Sequence, residues 1–217
     1  MTIYPTHHPT PKSQLLAWEQ EYTHITWGGP RSTRTVRDHL LEGSRVLDAG
    51  CGNGRHLLPL SRRYCTVGID ISKTALVASG TYLEKSGQHS EHLVSSVTEL
   101  PFDNDSFGGI VCYGVLQHLF AGERRAAVSE FKRVLSPGGF LFFEAFGVDD
   151  MRYGGTEVEP DTFLRKNGVI YHYFTKEEVS SLLRGFEIIK LENARSEKKF
   201  RGEIHSRHMI KVVARLF

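Results

Sequence analysis

The segment 44–63, SRVLDAGCGNGRHLLPLSRR, constrains the fold more than any other part of the chain. A short apolar run delivers Asp48, a turn with three alternating glycines (Gly50, Gly52 and Gly54) follows, and a helical pattern comes next. Glycine tolerates unusual backbone dihedrals, and the free N–H groups at a helix start favour a negative charge. This strand, turn and helix predict a site for a nucleotide-like ligand.

The rest of the chain repeats short apolar runs and amphipathic segments in alternation, which is typical of βαβ units. Four runs have the composition of buried parallel strands: RVLDAG, CTVGID, GGIVCYG and GFLFFEAF. Between the last two, ERRAAVSEFKRVLSPGG predicts a crossover helix that ends at SPGG. Buried parallel strands require helices on both faces of their sheet.

The C-terminal third predicts one more helix and a hairpin. Thr175 is a candidate N-cap with Glu178 three residues later, and Gly185 marks the helix end. Two extended runs, FEIIKLE and HMIKVVARLF, are separated by the charged stretch 193–207. We expect a hairpin with a long loop over that stretch, and an antiparallel strand that closes the sheet.

The N-terminal region predicts a cap. Its first fourteen residues hold three prolines and two histidines, so we expect no regular structure there. Trp18, Tyr22 and Trp27 follow, with a WGGP turn between two helical patterns. These aromatic residues either cap the sheet edge or pack the first helix onto the core. We therefore divide a single globular unit into a helical or flexible cap, 1–36, and a main domain, 37–217.

Composition excludes several classes of protein. The 217 residues carry a net charge of +2, too near neutral to indicate a nucleic-acid binder by itself, although nine Lys or Arg against four Glu follow from Arg184 onward. Three unevenly spaced cysteines predict neither a metal site nor disulfides, and no apolar run is long enough for a membrane span or a signal peptide. We expect a cytoplasmic protein that does not contact a membrane; the oligomeric state is not indicated.

Two acidic residues narrow the ligand of the glycine turn. Asp70 ends the next strand, where a carboxylate accepts both hydroxyls of a ribose. Asp48 stands two residues before the first glycine, and a pyrophosphate-binding turn has no need of an acid there. A ligand that carries an ammonium beside its carboxylate does use such an acid, directly or through water. An NAD-type dinucleotide remains an alternative, because those folds share the strand, turn, helix and ribose acid.

At this point the sequence resembles a family, the class I S-adenosylmethionine-dependent methyltransferases of the small "type 11" sort. The resemblance rests on VLDAGCGNGRHLLPL, VGIDIS, SSVTELPFDNDSFGGIVCYGVLQHL and FKRVLSPGGFLFFE, four motifs in order between about residues 44 and 145. The C-terminal part is weakly similar to tellurite-resistance and thiopurine-type methyltransferases. The family implies a Rossmann-like three-layer α/β sandwich, with a mostly parallel seven-stranded sheet and one antiparallel C-terminal strand.

The resemblance also implies S-adenosylmethionine as cofactor and S-adenosylhomocysteine as product. Its cofactor residues here are Asp48, Gly50, Cys51, Gly52 and Gly54 for the methionine moiety, Asp70 for the ribose, Ile71, Ser96 and Val97 for adenine, and Tyr113 near the amino group. Ser96 departs from the acid usual in the family, so we expect weaker or rearranged adenine recognition. No metal is implied.

Candidate catalytic residues follow the fourth and fifth strands. A histidine side chain ordinarily titrates near neutral pH, so His118 is the candidate base unless it only packs its helix; Gln117 is then the polar contact. Tyr171 and His172 either roof the acceptor pocket or alternate along an extended segment. Arg31 and Arg55 are candidates for binding an acidic substrate, or are ordinary surface arginines.

The acceptor is the least constrained part of the prediction. The weak C-terminal similarity favours a small molecule. The alternatives are RNA, including tRNA, held by the basic C-terminal stretch, or a protein acceptor; that stretch is otherwise a solvated hairpin. More remote are a non-catalytic cofactor-binding subunit and an NAD-dependent oxidoreductase.

Overall fold

The structure is a computed structural model that describes residues 9–24, 28–200 and 202–217. Its centre is a seven-stranded sheet with the order β3-β2-β1-β4-β5-β10-β9. The strands are β1 Arg45–Ala49, β2 Cys65–Asp70, β3 Glu91–Val94, β4 Phe107–Tyr113, β5 Leu135–Phe146, β9 Phe186–Phe200 and β10 Glu203–Leu216. β1 to β5 pair in parallel, and β10 runs antiparallel to β5 and β9. The expected sheet, with one antiparallel C-terminal strand, is confirmed.

Helices cover both faces of this sheet: α1 Pro11–His24, α2 Arg34–Arg37, α3 Leu57–Ser61, α4 Lys73–Lys85, α5 Ala121–Val134 and α6 Lys176–Leu182. Successive strand residues point to opposite faces, so Val46 and Val111 join one apolar cluster while Leu47 and Ile110 join another. Two apolar layers on one sheet confirm the three-layer sandwich. The Thr175 side chain accepts a hydrogen bond from the Glu178 N–H, as the capping pattern predicts.

A second, three-stranded antiparallel sheet lies between β5 and α6, and the sequence patterns did not predict it. It consists of β6 Thr156–Glu159, β7 Thr162–Leu164 and β8 Ile170–His172. Gly147 bridges Phe174, which joins this segment to the end of β5. The small sheet therefore lies at the carboxyl ends of the parallel strands, where ligands bind in such folds.

The long loop expected over residues 193–207 is wrong. β9 and β10 continue through the charged stretch as a ribbon, and beyond the Met209–Phe146 pair the only strand with which β10 pairs among the described residues is β9. Arg207 pairs with Asp150 at 2.7 Å and Arg195 pairs with Asp149, which ties the base of the ribbon to the loop after β5. Within residues 193–199 and 202–207, which the structure describes, neither face of the ribbon is buried in a core, so the sequence shows no alternating apolar pattern there.

The N-terminal expectation is partly wrong. Residues 1–8 lie outside the described residues, as does Trp27, but α1 already begins at Pro11, a position that suits proline in the first helical turn. The domain boundary expected after residue 36 falls inside α2. Within the described parts of the chain, no helix has the length and apolar character to cross a bilayer.

Candidate active site

A cavity of about 480 Å³ lies between α1 and the carboxyl ends of β1, β2 and β4. Its volume is in the range of small-molecule sites. The walls consist of Gly50, Asp70, Ile71, Val94, Ser95, Ser96, Val97, Gly114, Val115, His118, Leu119 and Glu123, and α1 contributes Pro11, Lys12, Gln14, Leu15, Trp18 and Tyr22. Six residues predicted from the sequence therefore line one cavity: Gly50, Asp70, Ile71, Ser96, Val97 and His118.

The glycine turn forms the floor of this cavity because side chains are excluded there. Gly50, Gly52 and Gly54 all have positive φ, of 77°, 54° and 84°. A Cβ on Gly52 would lie 2.5 Å from the Tyr22 hydroxyl, and one on Gly54 would lie 2.6 Å from Ser79 Oγ. Gly50 faces the cavity, whereas Gly52 and Gly54 shape the turn from behind.

Asp70 joins the turn to the end of β2. Its Oδ2 accepts a hydrogen bond from the Gly52 N–H at 2.9 Å, and its Oδ1 accepts one from the Ser72 N–H at 2.9 Å. Burial raises the pKa of Asp70, and these N–H donors oppose the rise. A carboxylate has about four lone-pair positions, so Asp70 can still accept ligand hydroxyls from the cavity.

Asp48 lies beneath the turn and does not line the cavity. Its side chain is buried, and Oδ2 has no hydrogen-bond partner within the described part of the chain. Burial, and secondarily the charge of Asp70, raise the pKa of Asp48 to about 8. A buried acid in this state gains from a nearby cation. The orphaned oxygen therefore fits a ligand that presents an ammonium at the turn.

Three predicted residues stand differently from the expectation. Cys51 is buried behind the turn, with Sγ 3.7 Å from the Gly52 carbonyl. Tyr113 turns from the cavity towards His56, at 5.0 Å between ring centroids, and the next two residues, Gly114 and Val115, line the wall instead. Ser96 faces the cavity, but its hydroxyl lies 2.7 Å from Thr98 Oγ1.

His118 lines the cavity from a short 3-10 turn, Leu116–His118. Its Nδ1 lies 2.9 Å from the Ile170 carbonyl, which only accepts, so this nitrogen carries the proton. The amide nitrogen of Gln117 lies 3.2 Å from Nε2 and donates to it. Burial lowers the pKa of His118 to about 4, and the Arg152 charge adds to that effect. The imidazole is therefore neutral near neutral pH.

Tyr171 and His172 do not line the cavity. Tyr171 supports His118 from behind, at 4.8 Å between ring centroids. His172 is buried on the other side of β8, where Nδ1 lies 2.8 Å from Thr162 Oγ1 and Nε2 lies 2.9 Å from the Glu178 carboxylate. Both ring nitrogens of His172 have partners in the fold, so the structure gives it no route to an acceptor in the cavity. This corrects its candidacy as a catalytic residue.

Helix α1 closes the cavity and is anchored on both sides. Gln14 donates to the Gly168 carbonyl at 2.7 Å and accepts from the Ile170 N–H at 3.1 Å. Glu19 accepts from the Lys73 N–H at 2.6 Å, at the first turn of α4. Trp18 packs edge-on against His118 at 4.8 Å. The aromatic pattern drew attention to Trp18 and Tyr22, but no local signal marked Gln14 or Glu19.

Comparisons with known proteins agree with this geometry. Residues 46–139 match the family model described as "Methyltransferase domain". The chain is 28% identical over 209 residues to the tRNA N(3)-cytidine methyltransferase METTL2 of Danio rerio, covering 88% of this chain and 59% of that protein. It is 33% identical over 113 residues to the tRNA (carboxymethyluridine(34)-5-O)-methyltransferase of Arabidopsis thaliana, covering 52% and 26%. The chain thus spans less than two thirds of either relative.

Among solved structures, a SAM-dependent methyltransferase from Methanosarcina mazei superposes with a TM-score of 0.73 at 26% identity, over 87% of this chain and 99% of that one. The 1,6-didemethyltoxoflavin-N1-methyltransferase of Burkholderia thailandensis, solved with S-adenosylhomocysteine, shares the fold at a TM-score of 0.71, 17% identity and coverage of 99% and 93%. The glycine turn, the Asp70 carboxylate and the unpartnered Oδ2 of Asp48 fit this cofactor. The chain therefore contains a class I methyltransferase domain whose cofactor is S-adenosylmethionine.

Proposed function

We propose that the chain transfers the methyl group of S-adenosylmethionine to a small-molecule acceptor. The observation that carries this proposal is one cavity with Asp70 in its wall on the cofactor side and His118 on another, roofed by α1. The bound cofactor supplies an electrophilic methyl on a sulfonium, so the protein contributes mainly alignment and a dehydrated site. A cavity of about 480 Å³ favours a compact acceptor.

The proposed cofactor residues have distinct tasks. Gly50 has no side chain and so leaves room at the turn for the methionine moiety of the cofactor, and Asp70 accepts the ribose hydroxyls. Asp48 supplies negative charge below the amino group without direct contact. Ile71 and Val97 provide apolar walls for the adenine, with Ser96 as a weaker polar contact because its hydroxyl already bonds Thr98.

The proposed role of His118 follows from its neutral state. A pKa of about 4 makes it a poor proton acceptor near neutral pH, so we propose that it shapes and polarises the acceptor site. Trp18 and Tyr171 hold the ring from two sides. Such a site suits an acceptor whose attacking atom carries no proton, for which no base is required.

We further propose that α1 is the functional part of the cap assigned to residues 1–36. Its anchors, Gln14 and Glu19, lie on opposite sides of the cavity and contact β8 and α4. Release of these few polar contacts opens a path for ligands, and their return excludes water. The main domain then supplies the cofactor floor.

RNA is the second candidate acceptor. The tRNA methyltransferases among the relatives favour it. The basic C-terminal stretch supports it less than the sequence suggested, because Arg195 and Arg207 are paired with aspartates. Free charge on the ribbon within the described residues comes chiefly from Lys198 and Lys199.

The experiment that tests the proposal follows a labelled methyl group from the cofactor into cell extract, separated into small molecules, RNA and protein. We expect label in the small-molecule fraction with the wild type and none with Asp70→Ala. Label confined to RNA assigns the second candidate. A parallel thermal-shift measurement compares S-adenosylhomocysteine with NAD; stabilisation by NAD alone contradicts the cofactor assignment.

A further inference from the structure

Two arginines meet on the outer side of the glycine turn. The Arg31 N–H donates to the Arg55 carbonyl at 2.9 Å, and Arg55 Nε donates to the Gly29 carbonyl at 3.2 Å. These bonds fix the segment before α2 against the residue that follows Gly54. Burial is the main cause that lowers the pKa of Arg55, and the charge of the nearby Arg31 side chain is the second.

The described residues give neither guanidinium a carboxylate partner. Two other arginines of the same region do have one: Arg34 pairs with Asp38 at 3.8 Å and Arg63 pairs with Glu42 at 2.6 Å. The neighbouring His56 supplies no negative charge and adds no further positive charge near neutral pH, because burial and both arginines lower its pKa to about 4. Two adjacent positive charges without an anion are unfavourable, and a bound anion removes that cost.

The arginine pair is connected to the strand beside the cavity through His56. His56 packs edge-on against Tyr113, with ring centroids 5.0 Å apart. Tyr113 immediately precedes Gly114 and Val115, which line the cavity wall. Arg55 follows the same glycine turn whose Gly50 lines the cavity, and this continuity is the basis for assigning a group bound at Arg31 and Arg55 to a ligand of that cavity.

We propose that Arg31 and Arg55 form a subsite for a phosphate group of the methyl acceptor. The proposal rests on the methyl transfer proposed above and names the chemistry of its acceptor. Guanidinium groups remain charged and match phosphate oxygens with two parallel N–H donors, and two guanidiniums balance the charge of one phosphate. The phosphate belongs either to a small phosphorylated molecule or to an RNA backbone.

Calorimetry with inorganic phosphate, at low ionic strength and saturating S-adenosylhomocysteine, tests the subsite without any methyl transfer. We expect Arg31→Ala and Arg55→Ala each to weaken phosphate binding about tenfold, because each removes a charge-assisted pair of hydrogen bonds. Arg55→Lys keeps the positive charge but not the two parallel N–H donors of the guanidinium, so we expect a loss of phosphate affinity between those of the wild type and Arg55→Ala. Arg34→Ala is the matched control, since its charge is already paired with Asp38, and we expect no change.

A second titration with single-stranded oligouridylate distinguishes the two sources. Arg62, at the far end of α3, is exposed and has no carboxylate partner among the described residues. If the phosphate belongs to RNA, the oligonucleotide binds more tightly than phosphate, its affinity falls steeply with salt, and Arg62→Ala weakens it too. If it belongs to a small molecule, the oligonucleotide shows no such gain and Arg62→Ala has no effect. Either result supports the subsite.

The proposal is overturned if Arg31→Ala and Arg55→Ala bind phosphate and oligonucleotide as the wild type does. It is also overturned if these variants lose affinity for S-adenosylhomocysteine in phosphate-free buffer, because the arginines then hold the cofactor carboxylate. A failure of the proposed methyl transfer gives a different result: phosphate binding depends on the two arginines, but no labelled methyl group reaches any fraction of the extract.

Discussion

We expect Asp48 to link cofactor affinity to pH. Its carboxyl is buried, Oδ2 has no partner within the described residues, and burial with the charge of Asp70 raises its pKa to about 8. A neutral carboxyl attracts an ammonium weakly, whereas a carboxylate beneath the glycine turn attracts it strongly. We therefore expect binding of S-adenosylhomocysteine to require that Asp48 lose its proton, and the affinity to rise with pH until that proton has left.

The magnitude follows from the pKa. At about pH 6, two units below the pKa of Asp48, roughly one molecule in a hundred has the carboxylate, so the apparent dissociation constant is about 100-fold weaker than its limiting value. The logarithm of the dissociation constant then changes by about one per pH unit up to pH 8 and levels off above it. Isothermal titration calorimetry across this range measures the slope.

Asp48→Asn removes the titrating group, so we expect its affinity to be nearly constant over the same range. Asp103→Asn, at an exposed position, is the matched control and keeps the wild-type slope. A wild-type dissociation constant that varies less than about twofold between pH 6 and 8, in parallel with the Asn variant, refutes the coupling between Asp48 and the ligand.

Four further results are expected. Asp70→Ala weakens S-adenosylhomocysteine binding by about tenfold or more in calorimetry, because the ribose loses its acceptor; wild-type affinity contradicts that role. Gln14→Ala leaves the Ile170 N–H unpaired and lowers the free energy of unfolding by about 1–3 kcal/mol in urea titrations; an unchanged midpoint argues that α1 is not held there. The folded state holds the Asp48 proton more tightly than the unfolded state, so wild-type stability falls relative to Asp48→Asn as pH rises from the unfolded pKa of 3.8 through the folded pKa of about 8, by up to about 1.4 kcal/mol per unit; parallel stability curves exclude the raised pKa. With His118 neutral, kcat shows no inflection near the usual histidine pKa of 6.5, and an inflection lost in His118→Ala restores its role as base.

The parallel sheet and the glycine turn at the floor of the cavity could be predicted because their signals are local. The strand that ends at Asp48, the glycines with positive φ and the cap at Thr175 each depend on residues within a few positions. The cavity roof could not be predicted in the same way. Gln14 bonds Gly168 and Ile170, more than 150 positions away, and nothing near Gln14 distinguishes it from a surface glutamine.

Two other differences have the same physical origin. His172 and its neighbours alternate along β8, and tertiary contacts with Thr162 and Glu178 decide that His172 faces away from the cavity. The charged ribbon after Asn193 is held by main-chain pairing and by two aspartates of another loop. Its described residues form no apolar face, so the sequence has no apolar alternation from which the strands could be predicted. The apolar periodicity of a sequence indicates which residues face a hydrophobic core. The orientation of His172 and the strands of the ribbon are determined by polar contacts instead, so the periodicity does not indicate them.

Amide hydrogen exchange with and without S-adenosylhomocysteine tests the central claim most directly, because it reports the floor and the roof of the cavity together. We expect slower exchange on binding in the glycine turn 50–54, at residues 70–71 and 95–97, and along α1. Tight binding with unchanged exchange in all of these segments would show that the cofactor does not occupy this cavity.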